Sequence, residues 1–267
     1  MNAEAKQSSL DCEGAGATFF SIIIPAHNEA PGIATTCSCI MDHFRTHQIC
    51  DYEVILINDH STDDTSAVIA RLSADHTQIN CYESEEEPGF GNAIRKGLSV
   101  FRGQAACIVM GDLSDSPEDI ISYYLLMKQG AECVFGSRFI PGASLEGYPW
   151  VKLILNRMAN YFIKLLFRIS HNDITNAFKC YHRKVIEGVQ PLFSKHFNLA
   201  VELPLKAIAR GFNYRIIPIT WTNRKWGKSN LKIKEMGSRY LFIILYVWLE
   251  KMLSKGDYRR KDQSRDD

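Results

Sequence analysis

No stretch of this chain is apolar for long enough to cross a bilayer. The longest uninterrupted run, residues 240–249, holds ten residues, about half of what a spanning helix requires. The first residues also lack the basic start, apolar centre and small-residue cleavage site of a signal peptide, so export is not expected. Charge of one sign is missing in bulk. With 31 Lys and Arg against 30 Asp and Glu the formal charge is +1, which excludes a nucleic-acid partner recruited by net charge. The eight cysteines show no Cys-x-x-Cys spacing and several sit inside apolar runs, so reduced buried thiols are expected rather than a disulfide framework or a zinc site. Repeats and low-complexity linkers are absent as well, and the chain reads as one domain with a C-terminal appendage.

What is present alternates. Residues 19–24 form an apolar strand that stops at Pro25, and residues 30–44 have helical character with Pro31 confined to the first turn. A second apolar strand, residues 53–57, ends in Asn58-Asp59-His60-Ser61-Thr62-Asp63, and a helix with Val68, Ile69 and Leu72 as its stripe follows. Residues 79–82 make a third strand, after which Pro88-Gly89-Phe90-Gly91-Asn92 opens a helix. Residues 105–110 make a fourth, leading into Gly111, Asp112, Ser114 and Asp115. Ser116-Pro117-Glu118-Asp119 then has the pattern of an N-cap, a proline at the first helical position and an acidic first turn. A fifth strand, residues 131–135, closes with Gly136-Ser137-Arg138-Phe139.

Strand, polar loop and helix in repetition predict the α/β class, with a mostly parallel sheet and helices on both faces. In such a sheet the polar strand ends share one edge, so residues 25–29, 58–63 and 112–115 should converge on one crevice. Clustered carboxylates repel each other. A bound cation together with a nucleotide's base and ribose is the simplest occupant.

The later part of the chain is more apolar. In a helix over residues 151–169, Lys152, Asn156, Asn160, Lys164 and Arg168 recur every four residues on an otherwise hydrophobic surface. That pattern fits an element lying between protein and lipid or a partner, and equally a core helix with one solvated edge. Residues 173–181 read as a strand, 199–210 as a helix capped by Asn198 and ended by Gly211, and 214–219 as a last strand. Six Lys or Arg against one acid, Glu235, fill residues 224–239, ahead of a short apolar helix at 240–253. This arrangement suits docking on an anionic membrane surface. The expected boundaries are a mobile tail at 1–18, a main domain at 19–231, a membrane-surface helical appendage at 232–255 and a charged tail at 256–267.

Taken together, Pro25-Ala26-His27-Asn28-Glu29, Asn58-Asp59-His60-Ser61-Thr62-Asp63, Gly89-Phe90-Gly91-Asn92-Ala93, Asp112-Leu113-Ser114-Asp115, Gly136-Ser137-Arg138-Phe139 and residues 224–231 resemble, in order and spacing, the family 2 glycosyltransferases. Among these the chain looks most like the dolichol-phosphate (polyprenyl-phosphate) mannosyltransferases. The resemblance implies a GT-A, Rossmann-like fold with a nucleotide-sugar half at 19–136 and an acceptor half at 137–231. It implies an inverting transfer of a hexose to polyprenyl or dolichyl phosphate at the cytoplasmic membrane face, with mannose from GDP-mannose as the family default.

By position the resemblance implies Pro25, His27, Glu29, Asn58, Asp59, Gly91 and Asp112 as donor-binding residues. Arg138, Lys152, Asn156, Arg224 and Lys228 would surround the acceptor phosphate, and Asp112, Arg138 and Arg224 would form the catalytic set. Mg²⁺ or Mn²⁺ would sit at Asp112 with Ser114 or Asp115. The implied partners are the donor, the lipid phosphate, the membrane surface and, for a chain without a spanning helix, a membrane-embedded subunit. Nucleic acid is not among them.

The chemistry makes sense of these residue types. A phosphate monoester is already mostly anionic at neutral pH, its second pKa being about 6, so it attacks without a general base. What the reaction requires is neutralisation of two anions by Arg, Lys and a divalent ion. One departure stands out: Met110-Gly111-Asp112 occupies the place of the family's Asp-x-Asp, a thioether where a hard cation would prefer an oxygen. Two rival readings follow. Transfer to a glycan hydroxyl would need a catalytic base, for which Glu202 is the late candidate, and a catalytically inactive nucleotide-sugar binder would explain Met110.

Overall fold

The computed structural model describes residues 17–223, 233–254 and 257. The motif at 224–231, with Arg224 and Lys228, lies outside the described residues, as does nearly all of both tails. The chain begins with β1 (Phe20–Ala26), α1 (Ile33–Thr46), β2 (Tyr52–Asn58), α2 (Thr65–Asp75), β3 (Ile79–Glu83), α3 (Phe90–Val100), β4 (Ala105–Ile108) and α4 (Pro117–Lys128). It continues through β5 (Cys133–Ser137), β6 (Ser144–Glu146), α5 (Trp150–Phe167), β7 (Lys179–His182) and α6 (Arg183–Gly188), and closes with α7 (Leu199–Ala209), β8 (Tyr214–Pro218), β9 (Thr220–Thr222) and α8 (Ile233–Leu253).

Seven strands form one sheet in the order β3-β2-β1-β4-β7-β5-β8. Every pairing is parallel except those of β7, which runs antiparallel to both β4 and β5. β6 and β9 pair in a separate parallel ribbon. β1 and β2 are buried along their whole length, as expected of strands covered on both faces and rich in Ile, Val and Leu. Pro25 is tolerated in a central strand because the β1–β4 register ends at Ile23 with Ile108, so no ladder hydrogen bond is lost at its nitrogen.

Helices cover both faces. Ile33, Cys37, Ile40 and Phe44 of α1, Ile69 of α2 and Ile120, Tyr123 and Met127 of α4 pack on one side of the sheet. Phe90 and Ile94 of α3, Val185 and Ile186 of α6 and Leu199 and Leu203 of α7 pack on the other. The N-terminus of α3 comes unusually close to its neighbour: a Cβ on Gly91 would lie 2.4 Å from the Ser194 carbonyl oxygen. Backbone cannot swing aside as a side chain can. Gly91→Ala is therefore expected to lower unfolding stability by about 1–3 kcal/mol, measurable as a lower urea midpoint. An unchanged midpoint would remove the steric role.

A third apolar cluster joins Ile163 and Phe167 of α5, Val201 and Leu205 of α7, and Ile243, Ile244 and Val247 of α8. α5 and α8 use only one side in this contact. Trp150, Ile154, Met158, Tyr161 and Leu165 on α5, and Phe242, Leu245, Leu249 and Met252 on α8, are exposed. Met158, Tyr161 and Leu165 are 64%, 70% and 68% accessible and Phe242 69%. Among the described residues no helix is long and apolar enough to cross a membrane.

Several expectations are corrected. The strand expected over 173–181 is paired only at Lys179–His182, because the side chains of Asp173 and Asn176 bind the backbone of Arg138 and Gly136 and hold the preceding residues as a loop. Ser116 and Asn198 stand at helix N-caps, yet neither side chain closes its cap. The last helix begins at Ile233, a turn and more before the apolar run. Within the described residues Cys37, Cys39, Cys81, Cys107, Cys133 and Cys180 are free thiols, whereas Cys50 is disulfide-bonded. The basic stripe on α5 is also only partly solvent-facing: Asn160 is buried, and the apolar residues form the broad exposed side.

Candidate active site

The carboxyl ends of β1 and β2 are laced together by short polar contacts. The Asp59 N–H donates to the Ala26 carbonyl at 2.8 Å, Asn28 N–H to Ser61 Oγ at 3.1 Å and Glu29 N–H to Thr65 Oγ1 at 2.9 Å. Asn28 adopts φ 57°, a left-handed conformation that asparagine tolerates, and its Oδ1 accepts the Thr62 N–H at 2.8 Å. His27 Nδ1 lies 2.6 Å from the Asp59 carbonyl. A carbonyl can only accept, so Nδ1 carries the hydrogen in this contact.

The side chains at these ends are held rather than loose. Asn58 donates to Glu83 Oε2 at 2.7 Å. Asp59 is buried, and both of its oxygens lie 3.0 Å from the Gly89 nitrogen, whose N–H they accept. A carboxylate there sits at the N-terminus of α3, where exposed N–H groups favour negative charge. Gly91, in the first turn, serves the close approach described above.

The loop after β4 is the most constrained part of the site. Leu113 has φ 56°, rare for a residue with a bulky side chain and a form of local strain that concentrates at functional sites. The turn it creates lets Asp112 Oδ1 accept the Ser114 N–H at 3.1 Å, and the Thr36 hydroxyl anchors the Gly111 carbonyl at 2.8 Å. Asp112, Ser114 and Asp115 are each 3% exposed. Asp115 turns inward to accept the Met110 N–H at 2.9 Å. Burial pushes its carboxyl up to about 7, against the lowering effect of that hydrogen bond. Met110 itself packs on the apolar cluster under α3.

At the end of β5, Arg138 is buried and gripped by Asp173. Its Nε and Nη2 donate to the two carboxylate oxygens at 2.8 Å each, and its backbone N–H donates to Oδ2 at 3.0 Å. Burial alone would raise the Asp173 carboxyl, but Arg138 outweighs it and holds the group below the usual carboxylate range. Asn156 Nδ2 donates to Thr175 Oγ1 at 2.8 Å. Lys152 and Asn156 lie on α5 and are partly exposed. Lys179 is fully enclosed, and burial pushes its ammonium down to about 7.

Direct contacts thus join the loops after β1 and β2, while the loop after β4 is anchored to α1 through Thr36. Asp173, Thr175 and Tyr148 were missed. The signal for the first two was available: Asn172, Asp173 and Asn176 are three strand-averse residues in one short stretch.

The mostly parallel α/β sheet, with polar loops at its carboxyl edge, an aspartate beside a strained turn and a buried arginine at the end of β5, has the arrangement of a glycosyltransferase of the GT-A type. The chain belongs to glycosyl transferase family 2, whose model matches residues 21–189. It is 29% identical over 217 residues to the polyprenol monophosphomannose synthase of Mycolicibacterium smegmatis, a match spanning 79% of this chain and 80% of that protein. It is 25% identical over 226 residues to the glycosyltransferase AglD of Haloferax volcanii, covering 83% of this chain and 36% of that one. Among solved structures, glucosyl-3-phosphoglycerate synthase from Mycobacterium tuberculosis in complex with Mn²⁺, uridine diphosphate and phosphoglyceric acid shares the fold. Its TM-score is 0.63 at 18% identity, over 92% of this chain and 82% of that one.

Proposed function

We propose that the chain transfers a hexose, mannose from GDP-mannose in the first instance, to a polyprenyl or dolichyl phosphate at the cytoplasmic face of a membrane. The observation that carries this reading is the apolar surface that α5 and α8 leave exposed while α5 also bears Lys152 and Asn156. Large uncovered apolar faces mark contact with a partner or a lipid surface. A polyprenyl chain lies in lipid, so its phosphate would be met at that surface. The name of the mycolicibacterial relative supports the same acceptor.

In this reading the lipid phosphate oxygen attacks the anomeric carbon, the bond from that carbon to the nucleoside diphosphate breaks, and configuration inverts. The acceptor is already ionised, so no side chain has to remove a proton. The loops at 25–29 and 58–63 hold base and ribose, and Asp112 lies toward the diphosphate. Arg138, together with Lys152 and Asn156 and with Arg224 and Lys228 from the segment outside the described residues, receives the acceptor phosphate. The donor set around Asp112 is sparse for a cation. Asp115 is turned to Met110, residue 110 is a thioether, and among the described residues no three His, Cys, Asp or Glu side chains gather as a metal site. The residues fit Mg²⁺ or Mn²⁺ only as an ion that brings diphosphate oxygens and waters of its own. Such an ion would offset the charge of the departing diphosphate.

Glu202 does not fit the base that a glycan hydroxyl would need. It is fully buried and accepts the N–H groups of Phe193 and Ser194. The test is transfer of radiolabel from GDP-mannose, with UDP-glucose and UDP-N-acetylglucosamine in parallel, into polyprenyl phosphate carried in anionic vesicles that also report sedimentation of the protein. Organic-phase label with GDP-mannose and co-sedimentation are expected. Folded protein that labels no lipid from any donor would overturn the acceptor and favour the inactive binder or a glycan acceptor.

A further inference from the structure

The turn formed by residues 172–176 meets two of the parts assigned above to the acceptor, the segment that carries Arg138 and the helix that carries Asn156. Asp173 takes Arg138 in the two-pronged grip already described. Asn172 Oδ1 accepts the Ser137 hydroxyl at 2.6 Å, and its Nδ2 donates to the Phe139 carbonyl at 3.0 Å. Asn176 Nδ2 donates to the Gly136 carbonyl at 3.4 Å. The whole Gly136-Ser137-Arg138-Phe139 segment is therefore read out by one turn.

The same turn is bound to α5 on its other side. Thr175 Oγ1 accepts Asn156 Nδ2 at 2.8 Å and Asn160 Nδ2 at 2.9 Å, and the Thr175 N–H donates to Asn160 Oδ1 at 3.2 Å. α5 also reaches Arg138 at its beginning: Tyr148, two residues before the helix, stacks its ring 5.4 Å from the guanidinium carbon. A helix with an exposed apolar face is thus tied at its start and its middle to one buried arginine.

Stability does not demand this arrangement. A buried ion pair is commonly no better than apolar residues of the same volume, and polar networks of this kind fix a geometry more than they add free energy. Asp173 sets the plane of the Arg138 guanidinium, and small displacements of a charged clamp are costly in rate: about 1 Å can lose roughly a hundredfold.

We propose that Asp173 is a positioning residue for the acceptor phosphate, and that the Asp173–Thr175 turn couples the placement of α5 to that of Arg138. Neither side chain touches substrate. The inference rests on the proposed lipid-phosphate acceptor, and the wild-type assay above decides that reading before any variant is made.

Two variants test the coupling by steady-state kinetics with donor and acceptor varied separately. Asp173→Asn keeps shape and removes charge; kcat/KM for polyprenyl phosphate is expected to fall about 100-fold with the donor KM within twofold of wild type. Thr175→Val keeps volume and removes the hydroxyl that accepts from Asn156 and Asn160, leaving only the backbone N–H bond to Asn160. It leaves the Arg138 ion pair in place, so it covers the case in which Asp173→Asn does not fold. Its expected loss, about tenfold in kcat/KM, is again confined to the acceptor and is accompanied by an unchanged midpoint of thermal unfolding. A merely structural turn would lower donor and acceptor terms together with thermal stability. That result, or wild-type acceptor kinetics in folded Thr175→Val, would overturn the proposal while leaving the acceptor reading intact.

Discussion

Asp112→Asn is expected to lower the rate of glycosyl transfer about 100- to 1000-fold, the usual effect of losing one charge-stabilising group in a dry site. Asparagine keeps an oxygen in the position that accepts the Ser114 N–H, 3.1 Å away in the native chain, so the strained turn at Leu113 is retained. What disappears is the charge that, in the proposed reading, meets a cation carried by the donor's diphosphate. Because residue 110 is methionine, no neighbouring carboxylate of the kind seen in an Asp-x-Asp pair stands in. Single-turnover transfer from labelled GDP-mannose would measure the loss, with thermal unfolding as the control. A variant that transfers at the native rate would move the donor's diphosphate away from this loop.

The second large effect is on folding. Glu202 and Lys206 lie one helical turn apart on α7, both without solvent exposure, with Nζ 2.9 Å from Oε1. The carboxylate also accepts the Phe193 and Ser194 N–H groups, and Lys206 donates to the Pro191 carbonyl. Glu202→Gln leaves the ammonium enclosed without a countercharge, at a cost of about 3–5 kcal/mol. For a chain of this size that corresponds to a fall of roughly 10 °C in the unfolding midpoint. Glu202→Leu combined with Lys206→Met should be milder than Glu202→Gln, because no charge remains buried. Calorimetry reads both. If Glu202→Gln instead abolished transfer at native stability, Glu202 would be a base and the glycan hydroxyl would return as the acceptor.

The loops proposed to hold the donor were legible in the sequence because their parts are local. An apolar strand followed at once by polar residues announces both the element and the edge it reaches, and Asn58, Asp59 and Asp112 follow that rule. Their individual roles were less legible. Asp59 caps α3 through Gly89, a contact across thirty residues that no local pattern encodes, and Asp115 points inward although it is separated from Asp112 by only two residues. The acceptor side was harder for the same reason. The buried partner of Arg138 lies thirty-five residues away, in a stretch whose apolar ends at Ile174 and Phe178 imitate a strand. On α5 the repeat of Lys152, Asn156 and Asn160 was visible, but periodicity alone does not say which side of a helix faces protein. Ile163 and Phe167 settle it by packing against α8.

β7 runs against its neighbours, and this changes which loops can reach the crevice. A parallel strand brings its following loop to the carboxyl edge of the sheet; a reversed strand brings its preceding one. The residues before β7 therefore arrive beside those after β4 and β5 without a helical crossover of their own. Their length and composition can vary while the donor loops, built on β1 and β2, stay as they are. Under the proposed function, one reversed strand gives the molecule two separately adjustable halves of a single site, so a change of acceptor would be sought in the segment entering β7, apart from the loops proposed to hold the nucleotide.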